Sequence, residues 1–134
     1  MIQEPCWPQR FHHQQLPLHY CADPTLAEQP LFDRARDGEA VAQLWQAPQG
    51  FVVPGSYRKF AELPAVSEQF ASRGWPVWQR RSGGGLVPQG PGIVNLSLAW
   101  PVYHSLGEAA EPIYLFLCGL LQRTLSTFGV ASHF

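Results

Sequence analysis

Charge is scarce in this chain. Asp, Glu, Lys and Arg make up only 14% of it, against the quarter usual for soluble domains, and Lys59 is its one lysine. The net charge of −1 gives no global field that would favour nucleic acid or an anionic membrane. Long hydrophobic runs are also missing. The longest candidate, Ile113 to Leu121, falls far short of the roughly 20 residues needed to cross a bilayer. Met1 to Arg10 holds no apolar run of the signal-peptide kind. Cys6, Cys21 and Cys118 are an odd number without framework spacing, so the expected compartment is a reducing cytoplasm. No repeat or low-complexity segment appears.

What is present is apolar and turn-rich. A length of 134 residues at 46% hydrophobic supports one core but not two. Thirteen prolines and five tryptophans on a weakly charged chain leave two readings. One is a compact domain with many turns; the other is a chain exposing apolar surface to a partner or to a further part of the same domain.

The pattern of elements points to an α+β (mixed α/β) fold. Residues 1–22, rich in Pro, Gln and His, read as an extended lead-in. Asp23-Pro24 is a helix start and Gly38 a stop, but Pro30 removes a donor between them, so a broken helix is expected over Pro24–Asp37. Phe51-Val52-Val53 followed by Pro54-Gly55 reads as strand and turn. Phe60, Leu63, Val66 and Phe70 recur at helical spacing; with Pro64 as interruption, the helix is expected over Pro64–Ser72, ended by Gly74. Strands are expected at Pro76–Arg80 and Ile93–Trp100, with a glycine loop and a turn at Pro88–Gly92 between them. Ile113, Phe116, Leu117, Leu120, Leu121, Leu125 and Phe128 mark an amphipathic helix starting near Glu111-Pro112 and stopping at Gly129.

The segment between those two strands carries the chemistry. Gly83, Gly84 and Gly85 are consecutive, and each glycine costs about 0.5–1 kcal/mol of chain entropy relative to alanine. Such a run serves either a flexible hairpin or a place where a ligand approaches the backbone. Charge distribution favours the ligand. No Asp or Glu occurs from Gln69 through Gly107, while Arg73, Arg80 and Arg81 do. Guanidinium forks and a concave set of backbone N–H groups suit a carboxylate or phosphate; pairing of these arginines with distant acids such as Glu28 or Glu108 is the alternative. A Walker loop is excluded by the lack of Gly-Lys-Ser/Thr and by the strand that follows. A Rossmann fingerprint is excluded by the adjacency of the glycines.

The run from Gln79 through Arg80-Arg81-Ser82-Gly83-Gly84-Gly85-Leu86-Val87-Pro88-Gln89 to Asn95-Leu96-Ser97-Leu98 resembles the signature of the lipoate–protein ligase and octanoyltransferase family, relatives of the biotin–protein ligases. Leu44-Trp45 and Val52-Val53-Pro54-Gly55 look like the strand pair that precedes it. Pro88-Gln89 stands in place of the family's aromatic-His pair, and Ser56 where a basic residue is common. The resemblance implies a biotin/lipoate protein ligase-like domain whose mixed sheet holds an acyl chain and an adenylate. By motif position, Arg80, Gly85, Leu86, Val87 and Pro88 would contact the nucleotide. Ser82, Gly83, Gly84, Gln89 and Asn95 would line the acyl site. The implied substrates are lipoate or octanoate with ATP as a further ligand, and the implied protein substrate is a lipoyl carrier domain or acyl carrier protein. The family also uses a lysine well downstream of the loop to polarise the acyl carbonyl, whereas Lys59 precedes it. Residues 23–134 are therefore expected to be the N-terminal part of such a domain, with no catalytic residue of its own. The implied activity is attachment of an acyl group to a carrier lysine. The alternative is a non-catalytic acyl- or nucleotide-binding half that needs a partner chain, as a dimer or with a complementary chain, or the missing C-terminal part.

Other constellations are weaker. Cys6, His12, His13, His19 and Cys21 match no zinc spacing, so no metal site is expected. Cys118 lies among Leu115, Phe116, Leu117, Leu120 and Leu121, and reads as a structural thiol rather than an acyl acceptor. His104 reads as a loop histidine before a base. Trp75, Trp78 and Trp100 are either core or the wall of an acyl pocket.

Overall fold

The computed structural model describes residues 8–13, 18–102 and 106–133, the side chains of 106–109 excepted. It divides into two units, residues 10–101 and residues 1–9 with 102–134.

The first unit contains two small sheets and two helices. In one sheet, β3 (Val41–Gln46) pairs antiparallel with β7 (Asn95–Ala99), from Val41↔Ala99 to Trp45↔Asn95. β1 (His12–His13) and β2 (His19–Tyr20) run parallel to β3, with His12 opposite Val41 and His19 opposite Trp45. Since β7 fills one edge of β3, β1 and β2 lie in line along the other. The extended lead-in thus contributes strand pairs to the sheet. In the second sheet, β4 (Gly50–Val53) lies between β5 (Val77–Gln79) and β6 (Val87–Gln89), parallel to β5 and antiparallel to β6.

Helix α1 (Gln29–Arg36) starts later than Pro24 and is unbroken, because Pro30 sits in its first turn. There a missing N–H has no intrahelical partner to lose. Asp23 does cap, but it caps a turn: its Oδ1 accepts from the Thr25 N–H at 2.9 Å. Leu31 is buried, and the core of this unit gathers Ala27, Val41, Ala42, Trp45, Ala47, Val52 and Val53. Helix α2 (Leu63–Ser72) likewise has its proline in the first turn. It ends where the Gly74 N–H bonds Ala71 O and the Trp75 N–H bonds Phe70 O, with Gly74 at φ +83°. Phe51 of β4 meets Phe70 edge-on at 5.5 Å and stacks on Trp75 at 5.2 Å, which anchors α2 to the second sheet.

In the other unit, α3 spans Leu106–Thr127. It begins earlier than Glu111, and Pro112 lies inside it at the loss of one backbone hydrogen bond. Gly129, at φ +76°, ends it, and Gln122 Nε2 donates to Ser132 O at 2.9 Å, tying the tail to the last turns. Tyr114, Leu115, Leu120, Leu121, Leu125 and Phe128 are exposed. No described helix is long and apolar enough to cross a membrane.

Candidate functional site

The two outer strands of the second sheet dictate where the glycine segment lies. β5 and β6 flank β4, so the chain from Arg80 to Leu86 must arch over the end of β4, a span of about two strand spacings, or nearly 10 Å. It is pinned on the way. The Arg80 N–H bonds Val53 O at 3.0 Å, and the Gly55 N–H bonds Ser82 O at 3.3 Å. Gln79 Nε2 donates to Gly55 O at 3.3 Å. The arch passes close to Gly55, where a Cβ would stand 3.2 Å from Arg80 O and 3.3 Å from Arg81 O, tighter than ordinary contact.

Arg80 holds the arch from inside. Its Nη2 donates to Gly83 O and to Gly85 O, both at 2.8 Å. Its Nε also reaches Gly83 O at 3.3 Å, and its Nη1 reaches Val52 O at 3.4 Å. Four of the five guanidinium N–H groups are thereby directed to backbone carbonyls. Gly84 makes this possible: it has φ +106°, and a Cβ on it would lie 2.8 Å from Arg80 Nη2. Gly83 and Gly85 face open space, which leaves room for a ligand on the arch.

The other anticipated residues divide into two groups. Ser82, Gly83, Gly84, Gly85, Leu86, Val87 and Pro88 are all exposed along the arch and β6. Gln89 is buried, and with half-buried Asn95 it forms a reciprocal amide pair: Gln89 Nε2 to Asn95 Oδ1 at 3.0 Å and Asn95 Nδ2 to Gln89 Oε1 at 2.8 Å. Asn95 Nδ2 also contacts Trp45 O at 3.3 Å. This pair joins β6 of one sheet to β3 and β7 of the other.

One basic residue was invisible to sequence reasoning. Arg58, in the 3₁₀ turn at Gly55–Lys59, brings its Nη2 to within 3.4 Å of the point where a Gly55 Cβ would stand, the point that Arg80 O and Arg81 O also approach. Arg58 and Arg81 are both exposed, and neither described ion pair, Arg34–Glu39 or Arg36–Asp33, involves them. Glu28 does not pair with these arginines: its Oε1 accepts the Ser97 hydroxyl at 2.7 Å, while Ser97 Oγ accepts the Trp45 indole N–H at 2.9 Å. The Glu108 side chain, Cys6 and His104 lie outside the described residues. Half-buried Trp75 stacks on Phe51 at 5.2 Å, and Trp100 meets Phe11 edge-on at 5.8 Å. Burial raises the Cys21 thiol above its ordinary value, against a nucleophilic role.

Residues 22–134 match the lipoyl protein ligase A/B catalytic domain model. An uncharacterised protein of Cupriavidus necator is 47% identical over 112 residues, covering 84% of this chain and 44% of that protein. A protein of Aeropyrum pernix, provisionally named lipoate-protein ligase A, is 31% identical over 105 residues, covering 78% of this chain and 38% of its own length. Among solved structures, protein Ta0514 of T. acidophilum, provisionally a lipoate protein ligase and solved with lipoic acid bound, matches with a TM-score of 0.58 at 17% identity. That match covers 85% of this chain and 48% of that one; at such low identity it shows the fold. The chain spans less than half the length of each of these relatives. On the family match and the arginine–glycine arch together, the chain belongs to the lipoyl protein ligase A/B catalytic domain family.

Proposed function

We propose that this chain carries the acyl- and nucleotide-binding portion of a protein that attaches lipoate, or a related medium-chain acyl group such as octanoate, to a lysine of a lipoyl carrier domain. The observation that carries the reading is the arch over β4. It is held open from within by Arg80, is free of side chains at Gly83 and Gly85, and begins beside the exposed Arg58 and Arg81, neither of which is in a described ion pair. Lipoic acid bound to the T. acidophilum protein supports lipoate as the ligand. ATP, where it is used, would supply the activation of the acyl carboxylate. This chain's own residues would bind and orient: backbone N–H groups of the arch and the arginines around it would neutralise a carboxylate or phosphate. Holding the acyl carbonyl still would make its attack by a carrier amine effectively unimolecular.

A second reading is a binding half that needs another polypeptide. It rests on Lys59, the one lysine, which precedes the arch, and on the exposed apolar residues of α3. Without a downstream ammonium to polarise the carbonyl, transfer loses a stabiliser typically worth about 10²–10³ in rate. One experiment serves both readings. The purified 134-residue chain is titrated with lipoate and with a hydrolysis-resistant lipoyl-nucleotide analogue by calorimetry. It is then incubated with ATP, lipoate and an apo carrier domain, and acylated lysine is sought by mass spectrometry. Analogue binding without acylation is the expected result. No binding would overturn the proposal. Turnover by this chain alone would overturn the need for a second part.

A further inference from the structure

We infer that Arg58, together with Arg81, supplies the guanidinium groups that grip the ligand's anionic group, while Arg80 is a positioning residue that shapes the arch. This rests on the proposed acyl-nucleotide reading and assigns its anion contacts. The argument begins with donors. Arg80 has given four of its five N–H groups to Val52, Gly83 and Gly85 carbonyls, so binding an anion through it would first mean undoing the arch. Arg58 and Arg81 have no hydrogen-bond or ion-pair partner among the described residues. The Arg58 Nη2 lies within 3.4 Å of the point beside Gly55 that the backbone carbonyls of Arg80 and Arg81 also approach, so Arg58 stands at the start of the arch, next to the residue that bears the exposed Arg81 side chain. An exposed, unpartnered Arg58 guanidinium at the foot of the arch, with exposed Arg81 at its start, offers donors to a group that accepts several hydrogen bonds, a phosphate before a carboxylate. The 3₁₀ turn at Gly55–Lys59 therefore belongs to the site, although Ser56 fills the position where a basic residue was looked for.

The assignment is tested in the full 134-residue chain with three probes: AMP, lipoate and the hydrolysis-resistant lipoyl-nucleotide analogue. Arg58→Ala should weaken AMP and analogue binding by about tenfold or more, the scale of a lost charge-assisted contact, and Arg58→Lys should recover only part of this. Lipoate binding should change less. Phenylglyoxal labelling followed by peptide mapping gives a second readout. Arg58 and Arg81 should label readily and be protected by the analogue, while Arg80 should label slowly with or without it. Circular dichroism on each variant separates loss of contact from loss of fold. If the wild-type chain binds none of the probes, the acyl-nucleotide reading itself falls. If it binds them and Arg58→Ala binds equally well, or labelling at Arg58 is not protected, that reading stands and the assignment of Arg58 is overturned.

Discussion

Replacing Ser97 by Ala removes one oxygen from the interior, and its cost can be worked from the two bonds it makes. Ser97 Oγ accepts the indole N–H of buried Trp45 at 2.9 Å and donates to Glu28 Oε1 at 2.7 Å. The indole donor has no other hydrogen-bond partner among the described residues, and a buried donor left unsatisfied costs about 1–3 kcal/mol. Half-buried Glu28 can turn toward water, so the loss on its side is nearer the net value of a bond, about 0.5–1.5 kcal/mol. The expected total is about 1.5–4.5 kcal/mol. Urea unfolding followed by tryptophan fluorescence reads it directly: at a slope of about 1–3 kcal/mol per M, the midpoint should fall by at least about 0.5 M. Ser97→Thr keeps the hydroxyl and should recover much of the loss. A Ser97→Ala midpoint within 0.2 M of wild type (roughly the resolution of the extrapolation) would refute the argument, because the Trp45–Ser97–Glu28 chain would then contribute nothing to stability.

Three further outcomes follow from other contacts. Gly50→Ala should cripple folding, since its Cβ would overlap both the Trp78 ring and the Pro76 carbonyl oxygen; soluble yield and circular dichroism check this, and a well-folded variant would contradict it. Gly84→Val places a β-branched residue at φ +106° against Arg80 Nη2, so binding of the lipoyl-nucleotide analogue should fall by more than about tenfold while the melting temperature of the exposed arch's parent chain hardly moves. The hydrogen bond from Arg34 is the main reason why the Glu39 carboxyl lies below its ordinary value. A depressed carboxyl stabilises the fold above its unfolded value, about 4.3, and this is lost as pH falls through the folded one; denaturation at pH 7 and pH 3 should therefore show Glu39→Gln less stable than wild type only at the higher pH.

Much of this architecture could be read before any coordinates. Strand β5, helix α2, strand β7 and the loop joining β5 to β6 stand where periodicity and glycine placed them, and the Arg-Arg-Ser-Gly-Gly-Gly run named the family. Several of the differences turn on proline, expected to split α1, to start α3 and to open a turn at Pro88. Pro30 opens α1 rather than splitting it, Pro112 is carried inside α3, and Pro88 belongs to edge strand β6 instead of a turn, where an edge tolerates a missing donor. Strand β3 was dimly seen, since its residues are covered on both faces and show no alternation. Arg58 could not be found by motif at all. It joins the arginines of the arch because the chain crosses the end of β4, which is a property of strand order and not of spacing.

The amide pair of Gln89 and Asn95 gives the site two different sensitivities to its medium. Neither amide titrates, and neither carries a net charge for salt to screen, so the spacing between the arch's sheet and its neighbour is indifferent to both. The exposed guanidinium groups are the opposite: their pull on an anion decays with ionic strength over a screening length of about 10 Å at 0.1 M. Raising salt should thus slow capture of a ligand while leaving the frame that receives it unchanged. Replacing the pair by Leu should do the reverse, slackening the frame without altering the salt slope.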